Sequence, residues 1–504
     1  MKRVYLIKNR YVDSVTLMGV AERLLGREGV TGAESGMGTP ANVELLTGLG
    51  YRVPEDAGKN DLMIALEAGD EAAMEAAYQS GIDLLEHPGG GRCQVFRDLR
   101  ELQAGQFDIA QISLPGEYAA GEARKAIELG MDVFIFSDNV PLAQERELKE
   151  LGRAKGRLVM GPDAGVGLMG GVALAAGSIV RKGGVGIVAA SGSGAQEVAC
   201  LIERLGAGVS AIIGTGGHDL LPEIGGITMR MGMERLDNDP DTQVLCLVSK
   251  LADQNVMAEV LKDAQRLQKP VVAVFLGGGA EIFRGSKVRG AFSLQEAAEV
   301  SYELLTGEQK HLGWTQGELE ALAGELLGRI PRGRKYFRGL YCGGTFAEEA
   351  LLLFAKENPQ AGISSNLNTP YAQKLPSHHQ SAGHTLLDLG AEDFTAEAPH
   401  PVFDPALRLR RLEKELEDPE VAVVLLDFIT GPGVHPDPIL PFVPLLRRHK
   451  DIVFIATLCG AQGDPQDIAG AGKALGEAGA VVAASNRESA RLASALMAAL
   501  QRRS

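Results

Sequence analysis

The sequence predicts an α/β protein built from several domains, and three observations support this fold class. The chain has 504 residues, which is enough for three or four domains of ordinary size. Short apolar runs of the β type alternate with segments of helical periodicity along its length. The second half of the chain repeats one series of these elements. Together these features predict sheets of parallel strands covered by helices.

The first half of the chain predicts two different domains. Residues 1–90 alternate strand and helix patterns three times, which indicates a ferredoxin-like or ACT-like module, with Asp13 as the N-cap of its first helix. The glycine run at 88–91 predicts a hinge. Residues 91–183 carry βα pairs that predict a compact parallel sheet of the Rossmann type with helices on both faces. The strand runs of that segment lie at 109–114, 133–138 and 158–163.

The second half predicts two copies of one unit, at 184–310 and 336–504, joined by a helical linker at 311–335. In each copy an apolar strand runs into a small-residue loop and then a helix. The runs MERLDNDPDTQVLCLVSK and LEKELEDPEVAVVLLDFI also match, with Pro240 opposite Pro419. Four elements match in the same order, so internal duplication is the inference that the sequence supports best.

Composition and charge exclude several classes of protein. A formal net charge of −15 without a basic block argues against a nucleic-acid partner. The five cysteines lie far apart and form no CxxC pair, which indicates a reducing compartment. The N-terminus lacks the apolar core of a signal peptide, and no run is long and apolar enough to span a bilayer. The sequence therefore predicts a cytoplasmic protein with no membrane partner.

Glycine-rich turns between a strand and a helix are the candidate anion sites, because small residues let unpaired N–H groups approach a ligand. The first such loop is Ser191-Gly192-Ser193-Gly194, which could equally be a tight turn. Its counterpart in the second copy has two candidates, Cys342-Gly343-Gly344-Thr345 and Thr430-Gly431-Pro432-Gly433. No GxxxxGK[ST] loop is present, so the chain is not a P-loop NTPase. No GxGxxG follows a strand in the setting that binds NAD.

His218 and its neighbour Asp219 are candidate catalytic residues, because they follow a strand and a glycine pair. A histidine there can act as a general acid or base or bind an anion, and a surface or capping role is the alternative. Glu392 is a third candidate, near Asp388 at the end of a predicted strand. These carboxylates could move protons or cap helices.

Five of the nine histidines crowd the second copy: His378, His379, His384, His400 and His435. The first three lie in an insertion relative to the first copy, and their spacing matches no standard zinc motif. A loop that binds an anionic substrate, or a solvated loop, is therefore favoured over a metal site, and no metal is predicted. The residues predicted to line the substrate rim are Asn139 (beside Asp138), Asp163, Asp388, His400 and His435.

Several stretches resemble known proteins. Residues 133–167 are similar to the end of the CoA-binding domain in the α subunit of succinyl-CoA synthetase, and GIVAASGSGAQE and IGTGGHDL continue into its α ligase domain. LLDLGAEDF, ITGPGVHPDP and TLCGAQGDP resemble the ligase domain of the β subunit. Their fusion in one chain, with YVDSVTLM and MGTPANVELL at the start, resembles the FdrA family. The resemblance implies a CoA-binding-like Rossmann domain followed by two flavodoxin-like ligase domains.

In succinyl-CoA synthetase, two helices that begin at glycine loops point at one phosphate. Carried over, the resemblance assigns that role to the loop 191–194 and to Gly431, Pro432 and Gly433, with Gly343, Gly344 and Thr345 as the other candidate. Three features depart from that family. Residues 280–292 contain no histidine where the phosphorylated one should lie, the N-terminal glycine-rich CoA loop is missing, and no ATP-grasp domain is recognised.

These departures lead to three functional hypotheses. Some FdrA-type proteins are the large subunit of oxamate carbamoyltransferase, which passes a carbamoyl group between oxalurate and phosphate in purine breakdown, and the sequence favours this activity. The runner-up is an acyl-CoA synthetase that resembles succinate–CoA ligase, and the third is a non-catalytic regulatory scaffold. The first hypothesis implies phosphate or carbamoyl phosphate as ligand, a small anionic substrate and partner subunits in a hetero-oligomeric complex. CoA stays a doubtful ligand, and no cofactor is assigned.

Overall fold

The computed structural model describes residues 1–504 except 13, 28, 87–95, 97, 251 and 504. The predicted helix cap Asp13 and the predicted hinge at 88–91 lie outside the described residues. The chain divides into two compact units, Met1–Leu102 and Gln103–Ser504. Among the described residues, no helix combines the length and the apolar character needed to cross a lipid bilayer.

The first unit alternates three strands with three helices: β1 (Lys2–Ile7), α1 (Ser14–Leu25), β2 (Val30–Met37), α2 (Pro40–Gly48), β3 (Leu62–Ala68) and α3 (Glu71–Glu86). The sheet is antiparallel with the order β1-β3-β2, so β3 is central. Alternate residues of β3 point to opposite faces, which gives two small cores. Ile64 packs with Leu17 and Leu24, whereas Met63 packs with Leu46. The order of elements is the one that the sequence predicted for a ferredoxin-like module.

The second unit begins with a parallel three-stranded sheet in the order β4-β5-β6. Its elements are β4 (Ile109–Ile112), α4 (Gly116–Glu128), β5 (Asp132–Ile135), α5 (Leu142–Lys155) and β6 (Val159–Met160). Helices α4 and α5 contact each other. Right-handed crossovers between strands added in one direction put both of these helices on the same face of the sheet. Met229 and Met233 of the later helix Ile227–Asp237 belong to one hydrophobic cluster with Phe134 of β5 and Met160 of β6.

The first of the repeated sheets has seven strands in the order β13-β12-β11-β9-β10-β7-β8. Its elements are β7 (Val166–Met169), β8 (Val172–Ala175), β9 (Lys182–Ala189), α6 (Gly192–Leu205), β10 (Val209–Gly214), α7 (Ile227–Asp237), β11 (Val244–Ser249), α8 (Gln254–Ala264), β12 (Val271–Phe275), β13 (Arg289–Ala291) and α9 (Leu294–Thr306). The hairpin of β7 and β8 joins this sheet by antiparallel pairing with β10, and the other strands are parallel.

Helix α10 (Gln316–Leu327) leads to the second repeated sheet, whose order is β16-β15-β17-β14-β18-β19-β20. Its elements are β14 (Tyr336–Tyr341), α11 (Gly344–Glu357), β15 (Ile363–Ser365), β16 (Gln373–Lys374), β17 (His384–Asp388), α12 (Glu392–Thr395), α13 (Ala406–Leu416), β18 (Val421–Ile429), α14 (Val443–Arg448), β19 (Val453–Cys459), α15 (Ile468–Glu477), β20 (Val481–Ala483) and α16 (Asn486–Arg503). Short 3₁₀ turns lie at Leu99–Glu101, Ala280–Phe283 and Leu440–Phe442.

The two sheets share one strand order. The series β13-β12-β11-β9-β10 of the first copy corresponds to β20-β19-β18-β14-β17 of the second, so the first strand of each copy lies between corresponding neighbours. This is the flavodoxin-like arrangement, and the predicted duplication is confirmed. Strands β15 and β16 are additional in the second copy. Helices α6 and α9 of the first copy contact α11 and α16 of the second, and one hydrophobic core includes residues of all four.

Candidate active site between the repeated sheets

The helices that follow the first strand of each copy begin beside each other. Ser191 caps α6, and its Oγ accepts the N–H of Gly194 at 3.0 Å. The same Oγ lies 2.5 Å from Oγ1 of Thr345 in the first turn of α11. A methyl group placed on Gly343 would lie 3.2 Å from Cβ of Ser193, so the two loops are in contact. The first N–H groups of a helix have no partner within it, and they carry a partial positive charge. Two such helix starts therefore face one small region.

A cavity of about 440 Å³ opens at these helix starts. It is lined by the loops 191–193 and 342–345, and its titratable side chains are Asp163, His218, Lys250, Cys342 and His400. The structure thus brings together Ser191, Gly192, Ser193, Gly343, Gly344 and Thr345, which the sequence placed in the anion site. Gly194 is not among the lining residues, and its N–H is bonded to the Ser191 cap.

His218 is held at the cavity by a buried charged network. Its Nδ1 lies 3.2 Å from Oε2 of Glu145, while Oε1 of Glu145 pairs with Nζ of Lys149 at 2.8 Å. The side chains of Glu145 and Lys149 are fully buried, whereas that of His218 is half-exposed. The hydrogen bond to Glu145 raises the pKa of His218, against the opposing effect of burial. Burial alone would raise the pKa of Glu145, but His218 and Lys149 outweigh it and the net shift is downward.

Asp219, predicted as a catalytic residue, supports the fold instead of facing the cavity. Its carboxylate is fully buried, pairs with Lys149 at 2.8 Å, and accepts the N–H groups of Thr228 at 3.1 Å and Met229 at 2.8 Å. These are N–H groups of the first turn of α7, which a carboxylate stabilises. Asp219 therefore anchors α7 and Lys149, and it is not among the residues that line the cavity.

A buried carboxylate holds the loop at the start of α11. Asp427 accepts the N–H groups of Cys342 and Gly343 at 2.8 Å each, and Arg408 pairs with it at 2.9 Å. Burial, with the charge of Asp427, raises the pKa of Cys342 well above its usual value, so the thiol stays protonated. The sequence analysis did not single out Asp427 or Arg408. The signal in the sequence that could have indicated Asp427 is a carboxylate within the otherwise apolar run VAVVLLDFI.

Lys250 and Asp388 flank the start of α11. A methyl group on Gly344 would lie 2.6 Å from Oδ2 of Asp388 and 3.3 Å from Nζ of Lys250. Burial raises the pKa of Asp388 to about 6, although the charge of Lys250 opposes the shift. Lys250 also pairs with Glu348 at 3.5 Å. The sequence analysis missed Lys250, yet it follows β11 at the carboxyl end of the sheet, the edge where such folds bind ligands.

His400 and Asp163 lie in the cavity wall, as the sequence predicted for the substrate rim. Burial lowers the pKa of His400 to about 4, so its imidazole is neutral at pH 7. Its Nδ1 accepts the N–H of Val402 at 3.2 Å, which puts the ring proton on Nε2. Burial by surrounding protein, with the nearby charge of Asp138, raises the pKa of Asp163, whose side chain remains accessible from the cavity.

Asp388 and three further predicted site residues lie outside the cavity lining. Glu392 is exposed at the start of the four-residue helix α12. Nδ1 of His435 accepts the N–H of Asp437 at 3.0 Å, which is a local turn contact. Asn139 is exposed with a φ of 54°. Each lies at or near the end of a strand. A residue at such a position lines the cavity only when the loop that carries it turns toward the cavity.

Gly431, Pro432 and Gly433 do not oppose the loop 191–194 across the cavity. Methyl groups on Gly431 and Gly433 would lie 2.9 and 2.8 Å from the carbonyl oxygens of Ala176 and Ala175, so the segment after β8 covers them. No helix begins at 431–433 among the described residues, because prolines at 432, 436 and 438 interrupt that stretch. The loop that meets 191–194 is 342–345, the other candidate.

The raised pKa of His218 predicts a pH-dependent stability. The folded protein holds this proton to a higher pH than an unfolded histidine, whose pKa is about 6.5. The contact with Glu145 therefore makes its full contribution to the free energy of unfolding below about pH 6.5. This contribution is lost as the pH rises through the pKa of His218 in the folded protein. Replacing His218 with Gln should remove this part of the fall in melting temperature as the pH rises above about 6.5, measured by calorimetry on both proteins. Parallel pH profiles for the two proteins would contradict the assignment.

Comparisons with known proteins agree with this architecture. A family model described as CoA-ligase matches residues 340–496, and one described as AllF, heavy metal-associated domain, matches residues 1–93. A succinate–CoA ligase (ADP-forming) subunit α 2 of Archaeoglobus fulgidus is 25% identical over 48% of this chain and 86% of its own length. The fold and the duplicated sheets are those of a protein with a CoA-ligase domain, and the predicted likeness to succinyl-CoA synthetase is confirmed.

A further relative matches nearly the whole length of the chain. The uncharacterized protein YahF of Escherichia coli (strain K12) is 34% identical over 97% of this chain and 98% of its own length. The chain belongs to the family of YahF; the FdrA name stays a prediction. Among solved structures, the dinucleotide-forming acetyl-coenzyme A synthetase 1 of Ca. Korarchaeum cryptofilum, in complex with phosphate and ADP, covers 81% of this chain and 86% of its own at 15% identity and a TM-score of 0.33. A TM-score of this size does not establish a shared fold.

The family name of the N-terminal match raises the question of a heavy metal. Residues 1–86 contain no cysteine and no histidine. These two side chains are the ligands that soft and borderline metals prefer, and carboxylates alone suit harder ions. The described residues of the first unit therefore do not fit a heavy-metal site.

Proposed function

We propose that the cavity binds phosphate or an acyl phosphate between the starts of α6 and α11, and that the chain is an acyl-transferring subunit of the acyl-CoA ligase type. The observation that carries the proposal is the 2.5 Å contact between Ser191 and Thr345, which brings two helix N-termini to one cavity. Helix N-termini favour phosphate because their N–H groups donate to its oxygens and their dipoles stabilise its charge. Lys250 adds a full positive charge at the same place.

The proposed reaction needs a site for the phosphate, a group that donates a proton, and a hydrogen-bond donor to the carbonyl oxygen. A phosphate oxygen attacks the thioester carbonyl of an acyl-CoA, a C–O bond forms, and the C–S bond breaks. The products are an acyl phosphate and CoA, whose thiolate takes up one proton. His218 would supply that proton, because Glu145 favours its protonated form. His400, neutral with its proton on Nε2, would donate to the carbonyl oxygen as negative charge develops there.

A second candidate is carbamoyl transfer in the same cavity. A phosphate oxygen would attack the carbamoyl carbon of oxalurate, the C–N bond would break, and the oxamate nitrogen would take the proton from His218. Carbamoyl phosphate and oxamate would result. The absence of histidine from residues 280–292 favours this route, because it requires no phosphohistidine at that loop. For either reaction we propose that partner subunits complete the enzyme. We propose CoA as a ligand only for the acyl-CoA reaction.

Replacing Lys250 with Gln tests the anion site. A hydrogen bond to a charged group contributes about 1.5–3 kcal/mol, so the variant should bind inorganic phosphate roughly 10- to 100-fold more weakly in isothermal titration. The matched control is Lys262→Gln on α8, which removes an exposed lysine paired with Glu259 and should leave phosphate binding unchanged. Equal phosphate affinities in wild type and Lys250→Gln would contradict the site.

The same titrations separate the two candidate reactions. The acyl-CoA ligase reading expects wild type to bind CoA, with phosphate still binding in its presence. The carbamoyl reading expects carbamoyl phosphate and oxamate to bind and CoA to give no heat. If the chain binds none of these ligands, the regulatory scaffold is the hypothesis that remains.

Valine at both Gly192 and Gly194 would not be a suitable test of the anion site. A methyl group on Gly194 would lie 2.6 Å from Oγ of Ser191, the atom that caps α6, and 3.1 Å from Val248. The double variant would disturb the helix start itself, so a loss of binding would not distinguish anion contacts from local unfolding.

A further inference from the structure

Two adjacent histidines and one glutamate converge away from the cavity. His378 and His379 lie between β16 and β17, in the insertion that distinguishes the second copy, and Glu397 follows α12. Nε2 of His378 and Nε2 of His379 each lie 3.3 Å from the same oxygen, Oε1 of Glu397. One ligand atom from each of the three residues lies within 4.8 Å of the other two.

The two N···O distances are those expected between ligands around one ion. Charge-assisted N–H···O bonds are usually about 2.7–2.9 Å long, and these two contacts are both longer. In a tetrahedral zinc site with bonds of about 2.05 Å, neighbouring ligand atoms lie about 3.3 Å apart, because the edge of a tetrahedron is about 1.63 times that bond length. Both N···O distances equal that edge, and one carboxylate oxygen is shared by two imidazoles.

Neighbouring residues fix the backbone and the ring of this cluster. Arg411 donates to the carbonyl oxygen of His378 at 2.6 Å, and Lys414 donates to that of His379 at 2.9 Å. The ring of His378 meets the buried ring of Phe394 edge-on, with centroids 4.8 Å apart. Contacts of this kind orient ligands before a metal binds and so reduce the entropy cost of binding.

We propose that His378, His379 and Glu397 form a Zn²⁺ site with a fourth position open to water. Two imidazoles and one carboxylate suit zinc and not magnesium, which prefers oxygen ligands in octahedral geometry. The ion would join the insertion before β17 to the segment that follows β17. That segment runs from Asp388, beside the start of α11, to His400 in the cavity lining. Bound zinc would therefore restrain a segment that contributes to the cavity wall. The sequence analysis predicted no metal, because the ligand spacing becomes recognisable only once Glu397 folds against the histidines.

The proposal is tested by titrating the full-length, metal-free protein with ZnCl2 and, separately, with MgCl2. Glu397→Gln keeps the shape of the side chain and removes its charge, and His379→Ala removes an imidazole that is 57% exposed. Each variant should bind Zn²⁺ at least about tenfold more weakly than wild type, since even the outer partners of ligands are worth that much. Mg²⁺ should give no comparable signal with any of the proteins.

The matched control is His311→Ala, which removes the imidazole of a single His–Glu pair at 3.1 Å elsewhere in the chain. It should leave Zn²⁺ affinity unchanged. Melting temperatures in a chelator should agree among all the proteins, which separates lost binding from lost folding. Bound Co²⁺ should give the intense visible bands of a four-coordinate ion in wild type and lose them in Glu397→Gln. Equal Zn²⁺ affinities in wild type and both variants, or a Co²⁺ spectrum unaffected by Glu397→Gln, would overturn the site.

Discussion

Replacing His218 with alanine is expected to lower turnover by roughly 10²–10⁴, the usual range for loss of a general acid or base. The imidazole lines the cavity, and the buried carboxylate of Glu145 holds its Nδ1 at 3.2 Å, which leaves Nε2 for the substrate. The measurement is formation of acyl phosphate or carbamoyl phosphate under saturating substrate, with the partner subunits that the proposal requires. The melting temperature should move little at a pH where the imidazole is neutral in the folded protein, because the side chain is half-exposed.

Two comparisons make this result decisive. His311→Ala removes a histidine of similar pairing far from the cavity lining and should keep full turnover. His218→Gln keeps the size of the side chain but loses the titrating group, so it should be as inactive as the alanine variant and lose the pH dependence of turnover near neutrality. A His218→Ala protein that melts early and retains its specific activity would make His218 a packing residue.

Replacing Lys149 with methionine should cost about 3–5 kcal/mol of stability, the largest structural effect we expect from one substitution. Lys149 is fully buried, forms an ion pair with Glu145, and donates to Asp219 and to the carbonyl of Thr215, all at 2.8 Å. Methionine fills a similar volume, yet it leaves two buried carboxylates without their shared cation. Amide hydrogen exchange of α5 and α7 under native conditions measures the loss where it occurs.

Arg146→Met is the control for Lys149→Met. Arg146 lies on the same helix, α5, and pairs with Glu150 at 3.0 Å, but both side chains are largely exposed. Exposed pairs of this kind contribute about 0–1 kcal/mol, so exchange in α5 and α7 should change little. If the amides of α5 and α7 exchange equally slowly in both variants, the buried network does not contribute the stability that its geometry implies.

Much of the fold could be predicted because each repeated strand is a local signal. The runs VLCLVS and VAVVLLDFI are apolar throughout, and in the structure β11 and β18 are buried along their whole length. Strands of this kind belong inside parallel sheets with helices on both faces, and the matching order of elements then gives the duplication. The small hairpin of β7 and β8 was missed, because its glycine-rich sequence has little strand propensity.

The candidate site was harder to predict because its parts are distant in sequence. Lys149 and Asp219 are 70 positions apart, and nothing near Lys149 distinguishes it from the solvated lysines of an ordinary helix face. The sequence placed the loop 191–194 and His218 at the ligand edge, and the structure has both at the cavity. It could not choose between 342–345 and 431–433, since that choice depends on which loop the segment after β8 covers.

The contact between Ser191 and Thr345 joins residues 154 positions apart in a single polypeptide, and this has a consequence for how the protein responds to its surroundings. If the two repeats were separate subunits, the anion site would form only above their dissociation constant. Covalent linkage replaces that equilibrium by an effective concentration in the millimolar range for a short connection. The two halves of the site are thus always made in equal number and meet during folding of one chain. Dilution cannot separate the two helices that would hold the phosphate.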